Sequence, residues 1–415
     1  MTGRQRILAA LRHEPVDRVP IDLGGTRQSG ISVFAYQSLL DALRIDRVPR
    51  VFDLYQLLAT IDAEVADRFA SDTVLLQRSA VAFGLSNERY RAFQLRDLQV
   101  EVPEDFQPID DGQGGLKLQR DGRDIAHMPA KAFYFDRFEK YPGATHPDLN
   151  TWRPPRPGAP GAPGAPGVGD AELEHYACES RRLFEETDKA VIVAMGPPYE
   201  LFNGIGQGGF EDWMMTFATE DAYVDQLYTL LVDQWLGNLQ HLHESVKDRV
   251  QVLQIADDFG TQGAPFLSTE MFRRKLLPHY RRGLDWIHAN TDWFVLLHSD
   301  GAIAPLLDSI IEMGVDAINP VQTSAAGMDP ATLHRQFGDR ITFWGGSGDS
   351  QGTLTNGSAQ DVAAETRRHL DAFHPLQGGY VFASVHNIQA NVPARNIIAL
   401  FDTAIDYPAQ EHPCP

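Results

Sequence analysis

Two histidines and one carboxylate are the residues of this 415-residue chain best suited to chemistry. His298 and Asp300 flank Ser299 at the end of an apolar run, WFVLLHSD. Residues two apart on a strand point to the same side, so the imidazole and the carboxylate converge. His386 ends a second such run, GYVFASVH. Two His and one carboxylate suit a divalent metal with open positions, either zinc or a 2-His-1-carboxylate iron site. The alternative is that Asp300 orients His298 through a hydrogen bond with no metal. Asp257 and Asp258 close another run, QVLQIADD. As neighbours on a strand they face opposite ways, which puts one in the site as acid–base group or ligand and leaves the other to cap a loop or the next helix; the alternative is that both simply end a strand. Asn319, Gln322 and Trp344 also stand at strand ends and are candidate substrate contacts. Asn before Pro is equally ordinary turn chemistry. Arg27 and Gln28 follow a Gly-Gly turn and form the best candidate to hold a carboxylate. A solvated loop arginine is the competing reading. His13, His279 and His369 read as surface or capping groups.

These residues need a scaffold that gathers strand ends. From residue 170 the chain alternates helix and apolar run with regularity. Helices are predicted over 170–187, 219–247, 269–289, 303–314 and 359–373, with a closing helix from Val392. The intervening runs start near Val191, Gln251, Trp293, Asp316, Ile341 and Gly379. Near-continuous apolar runs are expected of parallel strands buried on both faces. Upstream, RQRILAALR, 34–44 and 53–69 read as helices, and RVPIDLGG and TVLLQ as strands. The total of eight strands predicts a single-domain (β/α)8 TIM barrel, an α/β fold with its active site at the carboxyl ends of the strands. No GxGxxG opens a helix, which disfavours a doubly wound sheet. Residues 85–150, with their DGQGG turn, predict a β-rich insertion after the second strand. Residues 153–168 read as a Pro/Gly/Ala-rich surface loop. No GxSxG, Walker loop or CxxC is present.

The chain carries 36 Lys+Arg against 56 Asp+Glu, a net charge of −20. That argues against nucleic acid as a partner, which requires a basic surface, and against anionic membranes. Two cysteines, Cys178 and Cys414, build no disulfide framework and point to a reducing compartment. The N-terminal segment lacks a signal-type apolar core, and no stretch reaches the roughly 18–20 apolar residues of a span. A cytoplasmic location is expected.

With these residues in view, the chain resembles the uroporphyrinogen decarboxylase superfamily, which holds decarboxylases and corrinoid-linked methyltransferases. The similarity lies in RILAALRHEPVDRVPIDLGG, GPPYELFNGIGQGGFEDWM, IADDFGTQGAPFLSTEMFRRKLLPHY, HSDGAIAPLLDSIIEMGVDAINPVQ and HNIQANVPARNIIALFDTA. Decarboxylases of porphyrinogens show RQAGR after the first strand; here RQSGI keeps Arg27 and Gln28, and Ile31 replaces the second arginine. Their catalytic aspartate falls near Gln77, their tyrosine near Gly204 and their serine near Asp258, while His386 matches their late histidine. The methyltransferase branch shows HxC after the fifth strand and a cysteine after the eighth. Here those positions are His298, Asp300 and His386, harder ligands that favour oxygen substrates.

The resemblance therefore implies a metal-dependent methyltransferase, demethylating a small methoxylated compound. Zinc is the expected metal, with iron as the alternative, and a corrinoid on a partner protein would accept the methyl group. Tyr199 and Asn203, in the third-strand loop, join the expected substrate contacts. A homodimer is implied as well. The competing expectation is a metal-independent decarboxylase of a small or tetrapyrrole acid, with His386 and an aspartate moving protons. A non-catalytic barrel is disfavoured by so many polar groups at strand ends.

Overall fold

The computed structural model describes residues 1–135, 137–138, 146–154, 169–202 and 210–407. Asn203 and nearly all of the Pro/Gly/Ala-rich run lie outside the described residues.

Seven parallel strands are sheet neighbours in chain order: Thr73–Leu75, Ala190–Ala194, Val252–Ala256, Phe294–His298, Ala317–Asn319, Thr342–Trp344 and Tyr380–Val381. The RVPIDLGG segment closes the ring between the two ends. Ile21 bridges Phe382 in parallel, the Phe382 N–H donates to the Pro20 carbonyl, and the Asp72 N–H donates to that of Ile21. Eight staves thus form a TIM-type barrel, the first being a single bridge rather than a regular strand.

Alternation along the staves separates two cores. Ala190, Ile192, Val252, Leu296, Ala317, Trp344 and Val381 face inward and pack together. Ile7, Ala10 and Leu11 of the Gly3–Leu11 helix plug the floor of that inner core. Thr2 and Gln5 start this helix with a capping box. Val191, Val193, Leu253, Ile255, Val295 and Leu297 face outward against the helices. Burial on both faces explains why these runs read as unbroken apolar sequence.

Three helix boundaries differ from expectation. Residues 53–69 hold a short strand pair, Val51–Asp53 with Leu58–Ala59, and a helix only over Ala63–Arg68. Val51, Phe52, Leu54, Leu57, Leu58 and Ala59 are all buried, which no single helical stripe allows. The helix expected over 269–289 breaks into Thr269–Lys275 and Leu277–Asn290. Pro278 has no N–H to donate and its ring opposes the Arg274 carbonyl. The helix of 219–247 is Asp221–Val246, preceded by a separate helix, Phe210–Thr219.

The insertion is β-rich as expected. Tyr90–Leu95 and Leu98–Pro103 form one hairpin. A second sheet runs Ile109–Asp110, Leu116–Arg120, Arg123–Met128, Arg137–Phe138. Asp111 shapes the DGQGG turn by accepting the N–H groups of Gln113 and Gly115. No helix among the described residues is long and apolar enough to cross a membrane.

Candidate active site

The inward-facing series continues from the barrel interior to its mouth. On the fifth stave Phe294, Leu296 and His298 share that face, and on the sixth Ala317 and Asn319 do. His298 and Asn319 are register partners, so their side chains meet. The His298 Nδ1 lies 2.8 Å from the Asn319 Oδ1. The Asn319 Nδ2 in turn donates to the Trp344 carbonyl at 3.1 Å. This pins the ring: Nδ1 carries the proton toward Asn319, and Nε2 presents its lone pair to the mouth.

Around that lone pair the expected cluster assembles. The Asp300 Oδ2 lies 3.8 Å from the His298 Nε2 and 4.0 Å from the His386 Nε2. One ligand atom from each of His298, Asp300 and His386 lies within 4.8 Å of the others. Burial and the neighbouring His298 hold the His386 imidazole below its ordinary pKa, which keeps it neutral and suited to donate a lone pair. Among the described residues, the basic side chains within 4 Å of the Asp300 carboxylate are these two rings. A set of two imidazoles and a carboxylate, with one ring oriented by a buried amide, fits a divalent ion.

Two glycines let the loops after the fourth and fifth staves touch. A Cβ at Gly301, where φ is +94°, would lie 2.4 Å from the Gly260 carbonyl carbon. A Cβ at Gly260 would lie 2.8 Å from the Asp300 carbonyl oxygen. The contact brings Asp258 beside Asp300, whose N–H donates to the Asp258 Oδ1 at 2.9 Å. That same oxygen stands 4.0 Å from the His298 Nε2.

The other expected residues divide. Asp257 is buried and turned away from the cluster; its Oδ2 accepts the Phe202 N–H at 2.7 Å and the Tyr280 hydroxyl at 2.8 Å. It anchors the third-strand loop, and only Asp258 of the pair reaches the mouth. Asn319 serves His298 and Trp344 with both ends of its amide. Trp344 is fully buried, its indole donating to the Asp22 Oδ2 at 2.8 Å, so it belongs to the barrel core. Burial pushes the Asp22 carboxyl up against hydrogen bonds from Thr73, Trp344 and Gly25. Gln322 accepts the Gly301 N–H at 2.7 Å and so holds the Asp300 loop. Gln28 accepts from the inward Gln254 Nε2 at 2.9 Å. Arg27 is exposed and its Nε pairs with the Asp53 Oδ2 at 2.6 Å, which neutralises the cation proposed for a carboxylate. Tyr199 is half-buried, with its phenol pushed up to about 12 by desolvation. Asn203 lies outside the described residues.

The reading of His279 and His369 as surface groups is corrected: both are buried. Asp53 was masked by the reading of its segment as helix, and Asn387 by its place one residue past His386.

A model of the uroporphyrinogen decarboxylase (URO-D) family matches residues 169–407. The chain belongs to the URO-D family. The uroporphyrinogen decarboxylase of Bordetella petrii is 26% identical over 222 residues, 52% of this chain and 59% of that protein. The uroporphyrinogen decarboxylase of an Azoarcus species is 26% identical over 218 residues, 51% of this chain and 57% of that protein. The chain thus spans about three-fifths of the length of these curated relatives. A solved methyltransferase from Methanosarcina mazei aligns over 98% of this chain and 99% of its own, with a TM-score of 0.59 at 15% identity. That likeness shows a common fold. The matched URO-D region contains His298, Asp300 and His386, and leaves the insertion outside it.

Proposed function

We propose that this URO-D chain is a metal-dependent methyltransferase that demethylates a small methoxylated compound. In this reading a corrinoid on a partner protein accepts the methyl group, and the chain works as a homodimer. The observation that carries it is the convergence of His298, Asp300 and His386 within 4.8 Å at the barrel mouth.

His298, Asp300 and His386 would hold a divalent ion, zinc first by ligand type and iron second. Such an ion supplies Lewis acidity to a substrate oxygen. Asn319 keeps the His298 ring in the tautomer whose Nε2 faces the mouth. Asp258 holds a half-exposed carboxylate beside the cluster and is the group suited to move a proton at the departing oxygen. When the oxygen–methyl bond breaks, the methyl group passes to the acceptor and the oxygen takes up a proton. Gln322 steadies the Asp300 loop through the Gly301 N–H.

The test is metal analysis of protein purified without a tag or chelator, with His298→Ala and Asp300→Ala beside it. The reading expects about one equivalent of zinc or iron, lost in both variants, and methyl transfer that disappears with the metal. A metal-free wild type with undiminished activity would overturn it. Kinship with named decarboxylases favours a second reading, a metal-independent decarboxylase. Carbon dioxide release from a small acid by chelator-treated protein would establish that reading instead.

A further inference from the structure

Strand pairing stops short at one place inside the insertion. Ile109 and Asp110 pair antiparallel with Lys117 and Leu116. The same register carried upstream would set Pro108 against Leu118, Gln107 against Gln119 and Phe106 against Arg120, yet none of these three pairs forms. Pro108 has no N–H to give the ladder. The Phe106 ring is drawn the other way, 1% exposed and edge-on to Phe93 at 5.6 Å and to Phe135 at 6.4 Å. The chain from Asp105 to Pro108 therefore splays away from Leu118–Arg120, and a cavity of about 510 Å³ lies in the gap. That volume is within the ~300–1,000 Å³ range of small-molecule sites.

The walls of the cavity are held in place. Phe83 adopts a φ of +65°, a left-handed conformation that a bulky residue keeps only where its surroundings impose it. Its buried ring meets Phe135 edge-on at 5.4 Å, and its carbonyl accepts the Arg120 Nη2 at 2.6 Å. The strained residue and the guanidinium thus fix one another.

Three kinds of group line the gap. Phe83, Leu118 and Ile125 supply an apolar floor. Asp105 and Arg120 bring one charge of each sign, on the two facing walls. Among the described residues no ion pair joins these two, so each charge is open to a ligand. Gln107 and Gln119 stand where the ladder has opened, and an open strand edge is a place where an extended peptide backbone can pair. Opposite charges across an apolar floor, with strand backbone between them, match the two ends and the body of a peptide.

We propose that this cavity binds a short zwitterionic peptide with apolar side chains. Its free carboxylate lies toward Arg120, its ammonium toward Asp105 and its backbone along the opened edge. The site belongs to the insertion, outside the matched URO-D region of residues 169–407, and stands or falls apart from the methyl-transfer reading.

Calorimetric titration of the full chain with the dipeptide leucylphenylalanine tests this. Its N-acetyl form lacks the ammonium and its C-terminal amide lacks the carboxylate. The dipeptide should bind, and each blocked form should bind about threefold or more weakly. Asp105→Asn should weaken the dipeptide by about threefold and leave the N-acetyl form unchanged. Its melting curve should match the wild type, because Asp105 is exposed. Arg120→Gln should weaken the dipeptide by about tenfold and leave the amide unchanged, since a charge-assisted bond is lost. Gln107→Trp, at an exposed position on the wall, closes the gap; it should abolish binding and decides the matter if Arg120→Gln folds poorly. No binding of the dipeptide, equal affinity for all three ligands, or binding indifferent to Gln107→Trp would each overturn the assignment.

Discussion

Asn319→Ala tests how the barrel aims His298. The wild-type amide is 1% exposed and bridges the His298 Nδ1 at 2.8 Å to the Trp344 carbonyl at 3.1 Å. Removing it frees the ring to rotate or to change tautomer, so the Nε2 lone pair no longer faces the mouth by default. Loss of such an outer partner weakens metal binding by about 10–100-fold, or roughly 1.4–2.7 kcal/mol. Two polar atoms left buried without a partner cost a further ~1–3 kcal/mol of fold stability each at most. Competition for zinc against a chromophoric chelator reads the first quantity, and urea unfolding of the metal-free protein reads the second. Asn319→Asp separates them. It keeps an acceptor for His298 but loses the donor to Trp344, so metal affinity should stay near wild type while stability falls. Wild-type zinc affinity in Asn319→Ala, or equal losses in the two variants, would refute the tautomer argument.

Asp257→Asn should lower stability by about 1–2 kcal/mol in urea unfolding, because the amide oxygen can keep both the Phe202 N–H and the Tyr280 hydroxyl, which share the Asp257 Oδ2, but accepts them more weakly than a carboxylate does. Its metal content should match the wild type, since Asp257 faces away from the cluster. His369 is buried and its imidazole is pushed down to about 4 by desolvation. The unfolded chain binds that proton near pH 6.5 and the folded chain does not, so stability is full above ~6.5 and falls as pH drops toward ~4, by at most about 3 kcal/mol. His369→Phe should flatten that part of a pH series of melting curves. In Gly283→Ala the new Cβ would stand 2.0 Å from the buried Trp235 ring. Overpacking should outweigh the ~1 kcal/mol gain in helix propensity and destabilise the fold by about 1–2 kcal/mol in denaturant titration.

Much of the frame was legible because local rules agree with the global fold. The staves from Ala190 onward are apolar on both faces, and the helices between them carry one-sided stripes, so both announce themselves. Helix ends were less legible. Pro278 was visible, but the strand pair of residues 51–59 looked helical, because a short buried apolar run has no period of its own. That misreading hid Asp53, and with it the ion pair that occupies Arg27.

The expectation that His298 pairs with Asp300, drawn from period two along a strand, is a property of the sequence alone. In the structure the strand ends at His298, and Asp300 stands in the loop beyond it, placed by the Asp258 carboxylate that accepts its N–H. The opposition of Asp257 and Asp258 is likewise a property of the sequence, though not which of them turns inward. Tertiary structure decided that through Tyr280 and the Phe202 N–H, which approach from other elements and claim Asp257. The arrival of His386 beside Asp300 required the closing of the barrel, because 86 positions of chain separate them and no local rule spans that distance. Trp344 and Asn319 show the same limit. Each stands at a strand end, where sequence permits a ligand contact. The parallel register turns Trp344 to Asp22 in the core and Asn319 to His298, since side chains opposite one another on a barrel's inner face meet each other before they meet solvent.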